Sequence, residues 1–134
     1  MRFAPPDAGV TRQGRLEQWR RDRATAQPLR AEFPDVQQLR IELKFAGPGS
    51  TTPTPQSHVM YPPASAFFEY LCPYADCDGH FDLGGAVEAA MADATHTAEG
   101  MLECRGSRAR DHSSKQPCLL QLAYKVTATY QPKA

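Results

Sequence analysis

Two segments of the chain alternate apolar and polar residues with a period of two. In residues 36–45, polar or charged side chains separate the apolar positions Leu39, Ile41, Leu43 and Phe45. Residues 120–130 repeat the pattern over a longer stretch, with apolar side chains at Leu120, Leu122, Tyr124, Val126, Ala128 and Tyr130. This alternation predicts two β-strands that each turn one face toward a core and the other toward solvent. At about 3.3 Å per residue the second strand would span roughly 40 Å, so we expect a bend or bulge in it.

Three further strands and one helix complete the predicted body. Short apolar or aromatic runs predict strands at residues 58–61, 66–72 and 98–105, and proline pairs or polar loops separate them. Asp82 stands where a helix N-cap would, and residues 83–94 then follow the spacing of an amphipathic helix. This order predicts an α+β fold built on a small antiparallel sheet of about four strands, with one helix between strands.

A separate helix is predicted near the N-terminus, from Thr11 to about Ala26. Its only large apolar residues are Leu16 and Trp19, which lie three positions apart and so share one face. That stripe is narrower than the band of ~100° that a core helix presents. We therefore expect an N-terminal helical arm, ended by Pro28, that rests lightly on the body or is held for a partner.

The chain is long enough for one compact domain with an appended arm, at 134 residues and 14.8 kDa. We divide it into a basic arm, residues 1–30, and an α+β domain, residues 31–134. Hydrophobic residues make up 41%, which excludes a fully disordered chain. No apolar run approaches the roughly 18 residues of a membrane span. The first residues lack the apolar stretch of a secretory signal, so we expect a cytoplasmic protein without membrane contact.

Charge is divided unevenly along the chain. Fifteen basic and fifteen acidic residues cancel overall, but residues 1–30 hold seven arginines against three acids, a net of +4, and residues 31–134 hold eight against twelve, a net of −4. The arm therefore either docks on its own acidic body or is available for an anionic partner, unless it is an ordinary solvated helix. The candidate partner-binding residues lie on the arm and in one later loop: Arg12, Arg15, Leu16, Trp19, Arg20, Arg23, Arg108 and Arg110.

Four cysteines carry the chemistry that the sequence discloses. Cys72 and Cys77 are separated by four residues, and Pro73 between them helps the chain turn so that both sulfurs face one point. Cys104 ends one predicted strand and Cys118 opens the next, so a hairpin would bring them to the same end of the sheet. This arrangement predicts one structural Zn²⁺ bound by four thiolates, with no coordination position left for water or substrate.

Other uses of these thiols stay open at this point. Two disulfides are one alternative, although the lack of an export signal favours a reducing compartment, and unconnected buried thiols are another. A redox pair is poorly supported because the spacing is not Cys-x-x-Cys. His80, three residues after Cys77, or His112, in the loop before Cys118, lies close enough in sequence to replace a cysteine ligand. The acids around Gly79 lack the order of a calcium-binding EF-hand loop.

Residues 66–126 resemble a zinc ribbon. The resemblance rests on the motifs Cys72-Pro73-x-x-x-Cys77-x-Gly79 and Cys104-x-Gly106 and on Cys118. The chain departs from that pattern in a wider first turn, a long loop within the second pair and a helix between the pairs. The chain also resembles small bacterial proteins that have one such four-cysteine metal site. The resemblance to zinc ribbons implies a docking module in transcription, translation or another assembly.

Two functions follow from these features. The first is a non-enzymatic zinc protein that docks on a partner protein, with Leu16 and Trp19 inserted into a groove and the arginines around the contact. The alternative is an RNA- or ribonucleoprotein-binding protein, in which the arginines contact phosphate and Trp19 stacks on a base. The sequence contains no nucleophile elbow, phosphate-binding loop or His-Glu-x-x-His helix, so we expect neither catalysis nor a small-molecule substrate.

Overall fold

The computed structural model describes residues 12–47, 52–108 and 116–130. In this part of the chain the helices are α1 (Arg12–Thr25), α2 (Leu29–Glu32) and α3 (Gly84–Ala92). The predicted cap at Thr11 lies outside the described residues. None of the helices described is both long enough and apolar enough to cross a bilayer.

The strands that the structure describes are β1 (Val36–Ala46), β2 (Gln56–Met60), β3 (Glu69–Leu71), β4 (His80–Asp82), β5 (Thr97–Glu103), β6 (Ser107–Arg108), β7 (Gln116–Pro117) and β8 (Gln121–Tyr130). Four of them form one antiparallel sheet in the order β2-β1-β8-β5, and the others form the two-stranded pairs β3–β4 and β6–β7. The prediction of an α+β fold with a four-stranded antiparallel sheet, a helix between strands and an N-terminal helix is confirmed.

The long central pair β1–β8 positions the core. Ile41 lies opposite Val126 in this pair, and both side chains are fully buried. Because side chains alternate across a strand, the charged residues between the apolar ones lie on the solvent face of the sheet. The expected irregularity was assigned to the wrong strand, since the register shifts between Val36 and Gln38 in β1.

The predicted strand at residues 66–72 is shorter than its aromatic run indicates. Only β3 forms, and it pairs with β4 outside the main sheet. The Asp82 carboxylate accepts the backbone N–H of Gly84 at 2.9 Å, close to its expected capping role, and Leu83 takes the N-cap position itself. Helix α3 then packs on β5 and β8 and buries Val87 and Ala90.

The segment before β1 is tied into the core. Leu29 is fully buried, and its backbone N–H donates to the Ala64 carbonyl at 2.6 Å. The Ala66 N–H donates in turn to the Gln27 carbonyl at 2.7 Å. Leu29, near the end of the predicted arm, thus belongs to the body's hydrophobic core.

Candidate metal centre

Two turns at one end of the main sheet carry the four cysteines. The first cysteine turn, residues 72–79, joins β3 to β4 and contains Cys72 and Cys77. The second cysteine turn comprises residues 104–108 and 116–120, where Cys104 follows β5 and Cys118 follows β7. Pairing of β6 with β7 brings the two halves of this second turn together.

The four sulfurs form one buried cluster. Each Sγ lies within 4.8 Å of the other three, and the side chains are between 0% and 2% exposed. The Cys72–Cys118 sulfurs are 3.7 Å apart and the Cys77–Cys104 sulfurs 3.6 Å. Four sulfurs at about 2.3 Å from a tetrahedral zinc ion would be roughly 3.8 Å apart. These separations therefore match a metal-binding tetrahedron and are far longer than the ~2.05 Å of a disulfide bond.

Each sulfur also faces a backbone amide two residues further along the chain. Gly79 N–H donates to Cys77 Sγ at 3.3 Å, and Gly106 N–H donates to Cys104 Sγ at 3.4 Å. The corresponding amides of Tyr74 and Leu120 donate to Cys72 and Cys118, completing the set. Hydrogen bonds of this kind stabilise the ionised sulfur, so the backbone favours the thiolate form that a metal ion requires.

Hydrogen bonds among the thiols shift their pKa values. Hydrogen bonds from Cys72 and Cys77 lower the pKa of the Cys104 thiol well below its ordinary value. The same hydrogen bonds to Cys104 raise the pKa of Cys72 and Cys77, whereas burial raises that of Cys118. Hydrogen bonding within the cluster therefore shifts these pKa values in opposite directions on different sulfurs.

Backbone symmetry and two glycines bring the turns into close contact. The Cys72 N–H donates to the Gly79 carbonyl, and the Cys118 N–H donates to the Gly106 carbonyl, both at 3.0 Å. A Cβ atom at Gly79 would overlap Cys104 Sγ, and one at Gly106 would overlap the Gly79 backbone. Both positions therefore require glycine because of close approach rather than because of a positive φ, which neither adopts.

A polar cluster joins the two turns, and the part of it formed by Arg108 was not recognised in the sequence. Arg108 donates from Nε to Asp76 Oδ1 at 2.9 Å, and its guanidinium carbon lies 3.8 Å from the centroid of the Tyr74 ring. Ser107 N–H donates to Asp78 Oδ1 at 2.8 Å. The pairing of Asp76 with Arg108 across 32 residues leaves no local sequence signal.

His80, one of the two histidines considered as ligands, is not in the cluster. His80 instead lies beside Glu69, with Nε2 3.5 Å from Oε1. The group of potential ligands found within metal-binding distance consists of the four cysteines alone, among the residues that were described. His112 lies outside them.

The structure holds Trp19 against its own body. The indole Nε1–H donates to the Glu69 carbonyl at 2.6 Å, and the ring meets Phe67 edge-on at 5.8 Å. Leu16 and Arg15 are half-buried on the same face of α1. The face of α1 that carries Trp19 therefore docks on the body, as one of the alternatives for the arm expected.

The other candidate partner-binding residues are distributed differently. Arg20 and Arg23 are exposed, and the Arg23 guanidinium lies 5.4 Å from the Trp19 ring centroid. Arg12 is the first residue of α1, and Arg110 lies outside the described residues. Arg108 is separate from these, since it packs between the cysteine turns.

No protein-family model, curated protein or solved structure matches this chain. The function is therefore inferred from the site itself.

Proposed function

We propose that this chain is a non-enzymatic zinc-binding protein in which one structural Zn²⁺, bound by Cys72, Cys77, Cys104 and Cys118, stabilises a zinc-ribbon-like domain. The observation that carries the proposal is that the site offers four buried sulfur ligands to one ion. Four buried sulfurs lie within 4.8 Å of one another. An ion bound by all four has no coordination position for substrate, so its binding energy would contribute to folding.

The chemistry of the donors supports zinc. Thiolates are soft ligands that select ions such as zinc, whereas calcium and magnesium require oxygen donors. Iron also accepts four thiolates, so the metal must be measured. In the reducing compartment that we expect for this chain, the thiols would stay available to the ion.

The first experiment measures the metal directly. Untagged protein purified without added metal should contain one zinc ion per chain by elemental analysis, and a strong chelator should lower its melting temperature. The Cys77→Ser variant should lose the zinc, and Met101→Ser, which alters an exposed sulfur-containing side chain, should keep it. Metal-free wild-type protein whose melting ignores chelators would contradict the proposal, and a strong visible absorption would identify iron instead.

We further propose that the domain docks on a protein with an acidic surface through α1. Trp19 fixes one face of α1 on the body, and Arg20, Arg21 and Arg23 stay exposed. Because Trp19 is already used within the chain, the contact would be electrostatic rather than an inserted indole. Such a contact mainly speeds association and selects partners of opposite charge.

Charge reversal on α1 tests this docking. The full chain, the double variant Arg20→Glu/Arg21→Glu and the control Arg40→Glu/Lys44→Glu are used as baits in lysate from the native host. The control makes the same change in charge on exposed positions of β1. Protein docking is supported by partners that bind the wild type and the control, stay bound after nuclease treatment and do not bind the α1 variant. Partners released by nuclease support the RNA-binding alternative instead.

A further inference from the structure

Arg108 connects the two cysteine turns through its side chain. Its Nε donates to Asp76 Oδ1 at 2.9 Å, and its guanidinium carbon lies 3.8 Å from the centroid of the Tyr74 ring. Both partners belong to the first cysteine turn, whereas Arg108 belongs to the second. The Arg108 side chain is 17% exposed, so the surroundings screen this contact less than they would a surface pair.

The backbone fixes Arg108 in the same place. Arg108 forms a bridge with Cys77 and pairs with Gln116 on its other side. The preceding Ser107 exchanges two hydrogen bonds with Asp78, one through the carboxylate at 2.8 Å and one between backbones at 3.2 Å. The side chain therefore starts from a backbone position that is already registered against a metal-binding turn.

The charge of the site gives this cation a role. Four thiolates around one Zn²⁺ leave two net negative charges, and burial makes uncompensated charge costly. Backbone N–H groups supply partial compensation, and the backbone bridge to Cys77 together with the pair to Asp76 keeps the positive charge of Arg108 next to the first cysteine turn. Asp76 and Tyr74 hold the guanidinium in place through a bonded carboxylate and a ring face.

We infer that Arg108 is a positioning residue of the metal centre, which joins the two cysteine turns and offsets the charge of the zinc tetrathiolate so that the ion is released slowly. This inference rests on the proposed structural zinc. It differs from the expectation that Arg108 contacts a partner, because the guanidinium already lies over the Tyr74 ring and is paired with Asp76 inside the chain.

The test compares Arg108 with its neighbour. Arg108→Ala, Arg108→Lys and the control Arg105→Ala are purified with zinc, and the metal content of each is measured. Arg105 is exposed and adjoins the ligand Cys104, so its removal changes the same net charge at a similar place in the chain. Two quantities are then recorded: the rate of zinc transfer to a chromophoric chelator at constant pH and salt, and the sulfur-to-metal charge-transfer band of the Co²⁺-substituted protein.

The expected results follow from charge and geometry. Arg108→Ala should release zinc about tenfold faster, the size expected for losing a partly buried ion pair with a cation–π contact. Its Co²⁺ band should move to longer wavelength, since removing a nearby cation raises the energy of the sulfur electrons. Arg108→Lys, which keeps the charge but loses the planar stack, should fall between, and Arg105→Ala should stay within about twofold of wild type.

The outcomes separate this inference from the zinc proposal. Wild-type protein without zinc overturns both. If the wild type binds zinc but Arg108→Ala has the same zinc release rate and the same Co²⁺ band as the wild type, the role of Arg108 is overturned and the zinc proposal stands. If Arg108→Ala does not fold, the zinc release rates of Arg108→Lys and Asp76→Asn test the role of Arg108 instead. Each of these changes leaves the backbone pairing of residue 108 intact. Release rates equal to the wild type in both variants would overturn the role.

Discussion

Gly79 and Gly106 lie backbone to backbone between the two cysteine turns. A Cβ atom at Gly106 would overlap the Cα and N atoms of Gly79, and one at Gly79 would lie 3.0 Å from the Cα of Gly106 as well as overlapping Cys104 Sγ. Each glycine also donates its N–H to a cysteine sulfur. The same two residues therefore set both the separation of the turns and the hydrogen bonding of two sulfurs.

The first prediction concerns these glycines. Gly79→Ala and Gly106→Ala should each weaken zinc binding and lower the free energy of unfolding of the zinc-loaded protein by about 2–4 kcal/mol, since backbone atoms cannot yield to the added methyl group. Gly85→Ala is the matched control, because its Cβ would meet nothing within 4 Å and alanine favours the helix. Denaturant unfolding and a metal assay measure both effects. Wild-type stability in Gly106→Ala would show that the turns are not in close contact.

The second prediction concerns how α1 is held. Trp19→Phe keeps a ring beside Phe67 but loses the hydrogen bond to Glu69, so it should cost about 1 kcal/mol. Trp19→Ala should cost about 2–3 kcal/mol and increase amide hydrogen exchange throughout α1. The control Arg20→Ala alters an exposed residue of the same helix and should change neither quantity. Unchanged exchange in Trp19→Ala would mean that other contacts hold the helix.

The strands of the main sheet were predictable because their signal is local. Ile41 and Val126 belong to alternating runs long enough to show a period of two. Because Cys72, Cys104 and Cys118 stand at the ends of predicted strands, the sequence also predicted that the cysteines lie close together. β3 and β4 have three residues each, too few for any period, so one was predicted too long and the other was missed. The bond from Trp19 to Glu69 joins residues 50 positions apart, and nothing in either local sequence indicates it. Pairing partners of this kind depend on the packed fold.

The third prediction concerns the pH response of His58. Burial and, secondly, the positive charge of Arg23 lower the pKa of His58 below its ordinary value of 6.5. The folded state therefore disfavours the protonated ring, and the stability that His58 contributes is complete above pH 6.5 and declines as the pH falls below it. His58 should titrate below 6.5 in an NMR experiment. Arg23→Gln should move the midpoint part of the way back, because burial against Tyr70 remains.

A control variant separates these two causes. Arg20→Gln removes an exposed cation from the same helix and should leave the His58 midpoint where it is in the wild type. A midpoint at or above 6.5 in the wild-type protein would contradict the assignment of a partly buried ring whose protonated form is disfavoured.

The last prediction contrasts neighbouring leucines beside a metal ligand. Leu119 has a φ of 57° and is 49% exposed, whereas Leu120 is fully buried and donates its N–H to Cys118 Sγ. The left-handed conformation costs a leucine about 1–2 kcal/mol, and a glycine there avoids this cost but loses about 0.5–1 kcal/mol of chain entropy on folding. Leu119→Gly should therefore raise the free energy of unfolding by up to about 1 kcal/mol while zinc stays bound. Leu120→Ala should lower it by about 2–5 kcal/mol because it opens a cavity in the core. Denaturant unfolding of zinc-loaded protein compares them, and a strong loss in Leu119→Gly would mean that the exposed leucine side chain makes a stabilising contact that outweighs its backbone strain.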